Sequence, residues 1–288
     1  MKNIFITLTI LLVPLYAQTI KAGYDVSFGI IGEIGKSEIT YKEQDNSYTI
    51  VVEAWTTGMA SVLSRNRQEK YISQGKIING VLRPDVFVKY KHTDIATYSN
   101  VFVFDHVQSQ VLIIKNKEYK TSSTDFDVST MKNIKVITPK FETYKEPFNF
   151  YTDNDILSLF FNTQKILPSF KEGESKKLAA IGSKTANCVV DIEVPTNQKR
   201  KELQAIMSSD QGQLLTIILH QDIFQSEQGK LHVIFDEDGF AENVLLKDVI
   251  LFGDIRGKRT YQEVNGIMKT NVLVKKDLKN FTNTLDIK

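Results

Sequence analysis

Three acids in a row, Asp236-Glu237-Asp238, stand before Gly239 within the stretch LHVIFDEDGFAENVLLKDVILFGDIRG. Carboxylates so spaced can hold a divalent cation or act as an acid–base pair, and they can equally form the tip of a hairpin. A calcium loop of the helix–loop–helix kind needs glycine at its sixth place and a later Glu ligand; here glycine comes fourth. The flanking KLHVIF and AENVLLKDVILF alternate like strands. Asp tolerates turn conformations and Gly supplies positive φ, so the run reads as a turn.

The other chemistry-bearing residues are sparse. Cys188 is the single cysteine, set in the alternating strand pattern TANCVVDIEV. A lone thiol there reads as a small buried residue, because a nucleophilic cysteine needs a base and electropositive surroundings nearby. It also leaves the chain without an internal disulfide. The four histidines lie at 92, 106, 220 and 232. His220 and His232, the nearest pair, are metal partners only if adjacent strands bring them together, and the plain expectation is two sheet histidines. No nucleophile elbow, zinc-binding H-E-x-x-H helix or phosphate-binding P-loop occurs. The acids are too many and too scattered to single out a glycosidase-type pair. No catalytic residue, metal ligand or cofactor is therefore assigned.

Composition narrows the class of partner. Lys and Arg number 36 against 34 Asp and Glu, spread evenly along 288 residues. Nucleic-acid binding needs a concentrated basic face, and none is visible. The densest basic run, Asn197–Gln204, reads as a solvated loop or helix face. At the start, Lys2 precedes an apolar run, Ile4–Tyr16, of about 13 residues, shorter than the roughly 20 needed to span a bilayer. The expectation is a cleaved secretory signal over residues 1–17, with Ala22 as the alternative exit, and a periplasmic mature chain. The alternatives are an uncleaved anchor or a buried N-terminal strand. No later stretch is long and apolar enough to be a transmembrane helix.

These residues must be positioned by strands. YDVSFGII, GKSEITYKE and NSYTIVVEAW alternate apolar and polar residues with turn signals between them, the pattern of an antiparallel meander. Asn79-Gly80 is the strongest hairpin signal, and Pro84, lacking a donor, is expected at an edge or strand start. TTGMASVLSRNRQEKY changes to helical spacing for a turn or two. Asp153–Leu167, DNDILSLFFNTQKIL, is the clearest helix: cap-type residues begin it, Ile156, Leu159 and Phe160 line a stripe, and Pro168 stops it. The fold class expected is mainly β: a strongly curved antiparallel sheet, open-barrel or spiral-like, with one short and one longer helix packed on it. Residues 18–262 form a single β-rich domain and 263–288 a C-terminal strand with a polar tail.

In order along the chain, the tyrosine-led strand at Tyr24, Gly35, the helical turn Gly58–Leu63, Arg67–Tyr71, Val81-Leu82-Arg83-Pro84, the helix Asp155–Phe161 and the closing strand–turn–strand Leu231–Gly257 resemble the exported bacterial family known as domain of unknown function 3108. The likeness runs over Tyr24–Tyr261. It implies an exported, curved β-rich protein and carries over no catalytic residues. The chain departs from the family in lacking a lipid-attachment cysteine and in extending beyond Tyr261.

Function follows as an expectation only: a non-enzymatic envelope protein binding a lipid, lipoprotein segment or other hydrophobic ligand in the groove of its sheet. The groove would be lined by Trp55, Met59, Leu63, Phe160 and Phe161, although Trp55 reads more simply as a core residue. The rivals are a protein–protein interaction scaffold without a small ligand, acting through a sheet edge or loops, and a carboxylate-based hydrolase.

Overall fold

The computed structural model describes residues 17–166, 170–183, 188–209, 212–218, 229–249 and 253–269. The first half is a meander of long strands: β1 (Gln18–Phe28), a 3-10 turn (Gly29–Ile31), β2 (Gly32–Gln44), β3 (Ser47–Thr56), helix α1 (Gly58–Leu63), β4 (Gln68–Ile78), β5 (Val81–Thr93), β6 (Ala96–Asp105), β7 (Gln110–Asp127) and β8 (Lys132–Phe148). Helix α2 (Ile156–Ile166) then leads into shorter strands, β9 (Ser175–Ala179) and β10 (Val189–Glu193), helix α3 (Asn197–Met207), and β11 (Gln213–Ile218), β12 (Lys230–Phe235), β13 (Ala241–Val249), β14 (Gly253–Val264) and β15 (Ile267–Met268).

All strands join one antiparallel sheet, ordered β8-β7-β6-β5-β4-β3-β2-β1-β14-β13-β12-β11-β10-β9, with β15 beside β14. The two halves meet where β14 returns along β1. Among the described residues no ladder joins β8 to β9, so the sheet is not closed. The mainly β, open, curved architecture expected from the alternation is present.

Turn chemistry sets the meander. Asp45-Asn46 and Asn79-Gly80 all have positive φ, the two-residue geometry that matches strand twist. Pro84 lies inside β5, neither at an edge strand nor at a strand start. Its position works because the ladder with β4 shifts between Gln74 and Gly75, and because β6 pairs with β5 only from Val86 onward. Gly75 is required here: a Cβ would stand 2.0 Å from the Arg83 carbonyl oxygen.

Curvature brings both halves around α2. Ile20, Ala22 and Tyr24 of β1, Tyr41 of β2 and Tyr48 and Ile50 of β3 share one core with Leu159 of α2, Ile192 of β10, Leu215 of β11 and Phe235 of β12. A second core joins Phe87, Phe102, Phe104, Val111 and Ile113 of β5–β7 to Ile181 and Cys188. Among the described residues α2 sits against the inner face of both halves, as a plug, through Leu159, Phe160 and Phe161. A third helix, beyond the two expected, is the basic run itself: α3 is capped by Thr196, keeps its lysines exposed and packs Leu203 and Met207 on Leu214, Ile234 and Leu245. The strands β11–β13 are thus covered on both faces. Residues 1–16 and 270–288, with the expected signal and polar tail, lie outside the described residues.

Candidate functional site

The acidic run is a turn between β12 and β13. Asp236 accepts the backbone N–H groups of Asp238 and Phe240 through Oδ1, at 3.0 and 2.9 Å. Its Oδ2 pairs with the buried guanidinium of Arg259 on β14. Asp238 is taken by Gln262 and Lys269. Among the described residues no group of three His, Cys, Asp or Glu could hold a metal. His232 bonds Thr216 across the β11–β12 ladder at 2.9 Å, while His220 lies outside the described residues. Cys188 is buried, and burial pushes its thiol above the ordinary value, which leaves it a neutral core group.

The five residues expected to line one groove do not come together. Phe160 and Phe161 are on α2 in the barrel, Phe160 against Phe235 and Phe161 against Tyr41 and Phe240. Met59 and Leu63 are on α1, which rests on β2 and β3 with no buried residue of its own. Trp55 is 38 % exposed and is neither core nor groove. Strand parity explains this. Tyr48, Ile50 and Val52 face inward, so Trp55, five residues beyond Ile50, points to the opposite face, about 17 Å along β3.

Phe161 does contribute to a smaller site. At the end of the barrel toward which α2 runs, a cavity of about 300 Å³ opens among Ile20, Tyr41, Leu82, Phe161 and Phe240. Tyr41 stacks on Phe161 with centroids 5.3 Å apart and planes 16° apart, and Phe240 meets Phe161 edge-on at 5.3 Å. The rim carries Glu43, Glu237, Asp238 and Lys165. The Tyr41 hydroxyl donates to Glu43 Oε2 at 2.7 Å; burial first, and that bond second, raise the phenol well above its usual range.

A polar network lies deeper. Asp155, fully buried, caps α2 by accepting Leu157 and Ser158 N–H groups at 2.7 and 2.9 Å. Ser73 of β4 donates to its other oxygen, and Tyr48 in turn donates to Ser73 at 2.9 Å. Burial pushes the Asp155 carboxyl up to about 6. Its two oxygens are taken by the α2 N–H groups and by Ser73, so it fastens the start of α2 to β4.

The opposite end of the sheet is unusually apolar. Met59, Val62 and Leu63 on α1 are each more than three-quarters exposed, beside Trp55, Ile31 and Ile95. From the same end the β7–β8 hairpin overhangs. Its ladder runs to Asp127–Lys132, but β6 backs β7 only as far as Tyr119. Lys120–Asp127 and their partners therefore project roughly 27 Å as a bare two-stranded ribbon. On this ribbon Phe126 and Ile137 are exposed on one face, Ile134 on the other, and Val128 and Met131 at the tip; Phe141 and Tyr144 lie exposed further along β8, where β6 backs β7. Asp127 makes the tip rigid by accepting Ser129 N, Ser129 Oγ and Thr130 Oγ1; those hydrogen bonds hold its carboxyl at about 2.

Both sheet edges are guarded against strand addition. The Lys120 N–H turns away from β8 to Ile95 O, so the Pro139 opposite it presents its donor-less nitrogen to the open side. Pro147, eight residues on, has the same parity. The other edge, β9, is five residues long and holds Lys176 and Lys177.

No family model matches the chain, and no curated protein matches it. A solved structure of a β-barrel-like protein of domain of unknown function DUF1849 from Brucella abortus aligns over 87 % of this chain and 99 % of its own, with 13 % identity and a TM-score of 0.32. No helix among the described residues is long and apolar enough to cross a membrane.

Proposed function

We propose that the chain is a non-enzymatic, exported binding protein of the cell envelope that engages a protein partner through the α1 end and the β7–β8 ribbon. The single observation carrying this reading is the ribbon. A lone two-stranded hairpin is marginal in water, yet this one keeps large apolar side chains exposed on both faces and at a rigid tip. The packing of α2 against the inner face of the sheet supports it as well, since a carrier of whole lipids needs an empty barrel. The guarded edges favour side-chain docking over strand addition. Export is supported by Lys2 and the apolar run Ile4–Tyr16, and by the order of motifs resembling domain of unknown function 3108.

Photo-reactive residues placed at Met131, Ile137 and Leu63 in cells test the reading. A discrete protein adduct from these sites, missing from a control at exposed Lys42, is expected. Adducts at none of them count against it.

The ring trio Tyr41–Phe161–Phe240 favours a second reading, in which a short hydrophobic segment or ligand enters the opposite mouth. Solvent extraction of the purified protein followed by mass spectrometry is expected to release such a ligand, and Phe161→Ala to abolish its recovery.

A further inference from the structure

We infer that the mouth beside the α2 C-terminus selects a positively charged apolar group: an aliphatic chain ending in a primary amine. This rests on the second reading above, that the mouth is a binding site, and adds the charge of its ligand.

The cavity wall is apolar. Ile20, Leu82, Tyr41, Phe161 and Phe240 offer aliphatic and aromatic surface, and about 300 Å³ lies at the small end of ligand pockets, which span roughly 300–1,000 Å³. A short chain fits; a whole diacyl lipid does not. Polar groups deep in the site are already spoken for. The Asn162 amide bonds Leu82 N and Leu82 O at 2.8 Å each, and also Asn154. Specificity must come from the rim.

Among the described residues two rim carboxylates, Glu43 and Glu237, form no ion pair. Glu43 is oriented by the Tyr41 hydroxyl, a neutral donor that fixes the carboxylate without cancelling its charge. Glu237 is exposed at the turn and forms no ion pair among the described residues. The third acid, Asp238, is matched by Lys269. The one remaining rim cation, Lys165, reaches toward the β4–β5 turn, its Nζ 3.1 Å from where a Cβ on Gly80 would stand. A fatty acid or phosphate head would meet Glu43 and Glu237 and be repelled. A neutral chain would gain nothing from them. An ammonium gains twice, from the carboxylates and from the negative faces of the rings.

The chemistry has two sources, a free alkylamine or a lysine side chain on a peptide, and both can be presented to the full chain. The probes are hexylammonium, the peptide acetyl-Val-Leu-Lys-amide, and, as charge controls, hexanol and hexanoate, titrated at low salt while the aromatic NMR signals of Tyr41 and Phe161 are followed. Hexylammonium is expected to bind roughly tenfold more tightly than hexanol, with hexanoate weakest. Glu43→Gln with Glu237→Gln is expected to erase that preference, and Phe161→Leu to weaken the amine and hexanol alike while the melting temperature confirms the fold. Tighter peptide binding assigns the lysine source; binding of the amine alone assigns the free one. Equal binding of amine, alcohol and acid overturns the charge inference but leaves the mouth a binding site. Binding of none overturns both.

Discussion

Ser73 donates its hydroxyl to a buried Asp155 oxygen at 2.5 Å, and through that bond β4 holds the first turn of the helix that plugs the barrel. The cap, the strand and Tyr48 behind them form one unit with no cation in it. An ionised carboxylate in such a place is tolerated only because three donors face it.

Its pH dependence has a definite sign. Burial lifts Asp155 from 3.8 to about 6, so the folded state holds the proton more tightly than the unfolded one. The stabilising contribution is full below the unfolded value and is lost as pH rises through about 6. Its size is bounded by roughly 3 kcal/mol for a shift of about two units. Asp155→Asn keeps an acceptor for the α2 N–H groups and cannot ionise. Thermal melts of wild type and variant from pH 3 to 8 are expected to converge at the acid end and to separate between about pH 4 and 6, the variant being the more stable above that by a constant margin. Parallel curves would show that Asp155 does not titrate in this window.

Asn162 takes the place of a strand. Its amide pairs with both backbone groups of Leu82, beyond the point where β6 stops pairing with β5. Asn162→Leu keeps the volume and leaves two buried backbone groups without partners. The cost is expected to be about 2–4 kcal/mol in urea unfolding. A loss below half a kcal/mol would mean that water reaches Leu82.

Much of this was legible in the sequence where short-range rules decide. Asn79-Gly80 announced its turn, Asp236-Glu237-Asp238-Gly239 proved to be one, and the cap-type residues before Ile156 placed α2 within three residues of its start. Trp55 was misjudged although the signal was present: counting by twos from Ile50 puts it on the outer face. The ribbon was not legible. MKNIKVITPKFETY reads as strand whether or not a neighbour backs it, and the overhang exists only because β6 begins at Ala96 opposite Tyr119. The mouth was hidden for the same reason. Tyr41, Phe161 and Phe240 are far apart in the chain, and only the rolled sheet brings their rings together.

At Gly75 the constraint is steric and local. A methyl group there collides with backbone, the Arg83 oxygen and Pro84 Cα, so no side-chain rearrangement relieves it. Gly75→Ala is expected to cost at least ~2 kcal/mol, by forcing apart the bulge that admits Pro84. Gly257, whose added Cβ would meet only Val244 at 3.4 Å, is the control: Gly257→Ala is expected to change stability far less in the same denaturation assay.

Pro139 tests whether the edge is guarded by design. Its nitrogen faces the open side of β8, so Pro139→Val restores an outward N–H without removing any bond to β7. Valine is also a good strand residue, which leaves folding stability unchanged within about 0.5 kcal/mol. What changes is the edge: Lys135, Ile137, the substituted position 139 and Phe141 then offer consecutive outward donors beside exposed apolar side chains, the template that promotes edge-to-edge association. Light scattering across a concentration series is expected to show the variant self-associating where the wild type does not, with the added strand pairing visible in the amide infrared band. Identical scattering curves would move the protection to the lysines flanking the site, and Lys135→Thr with Lys140→Thr on the Pro139→Val background would then be expected to release it.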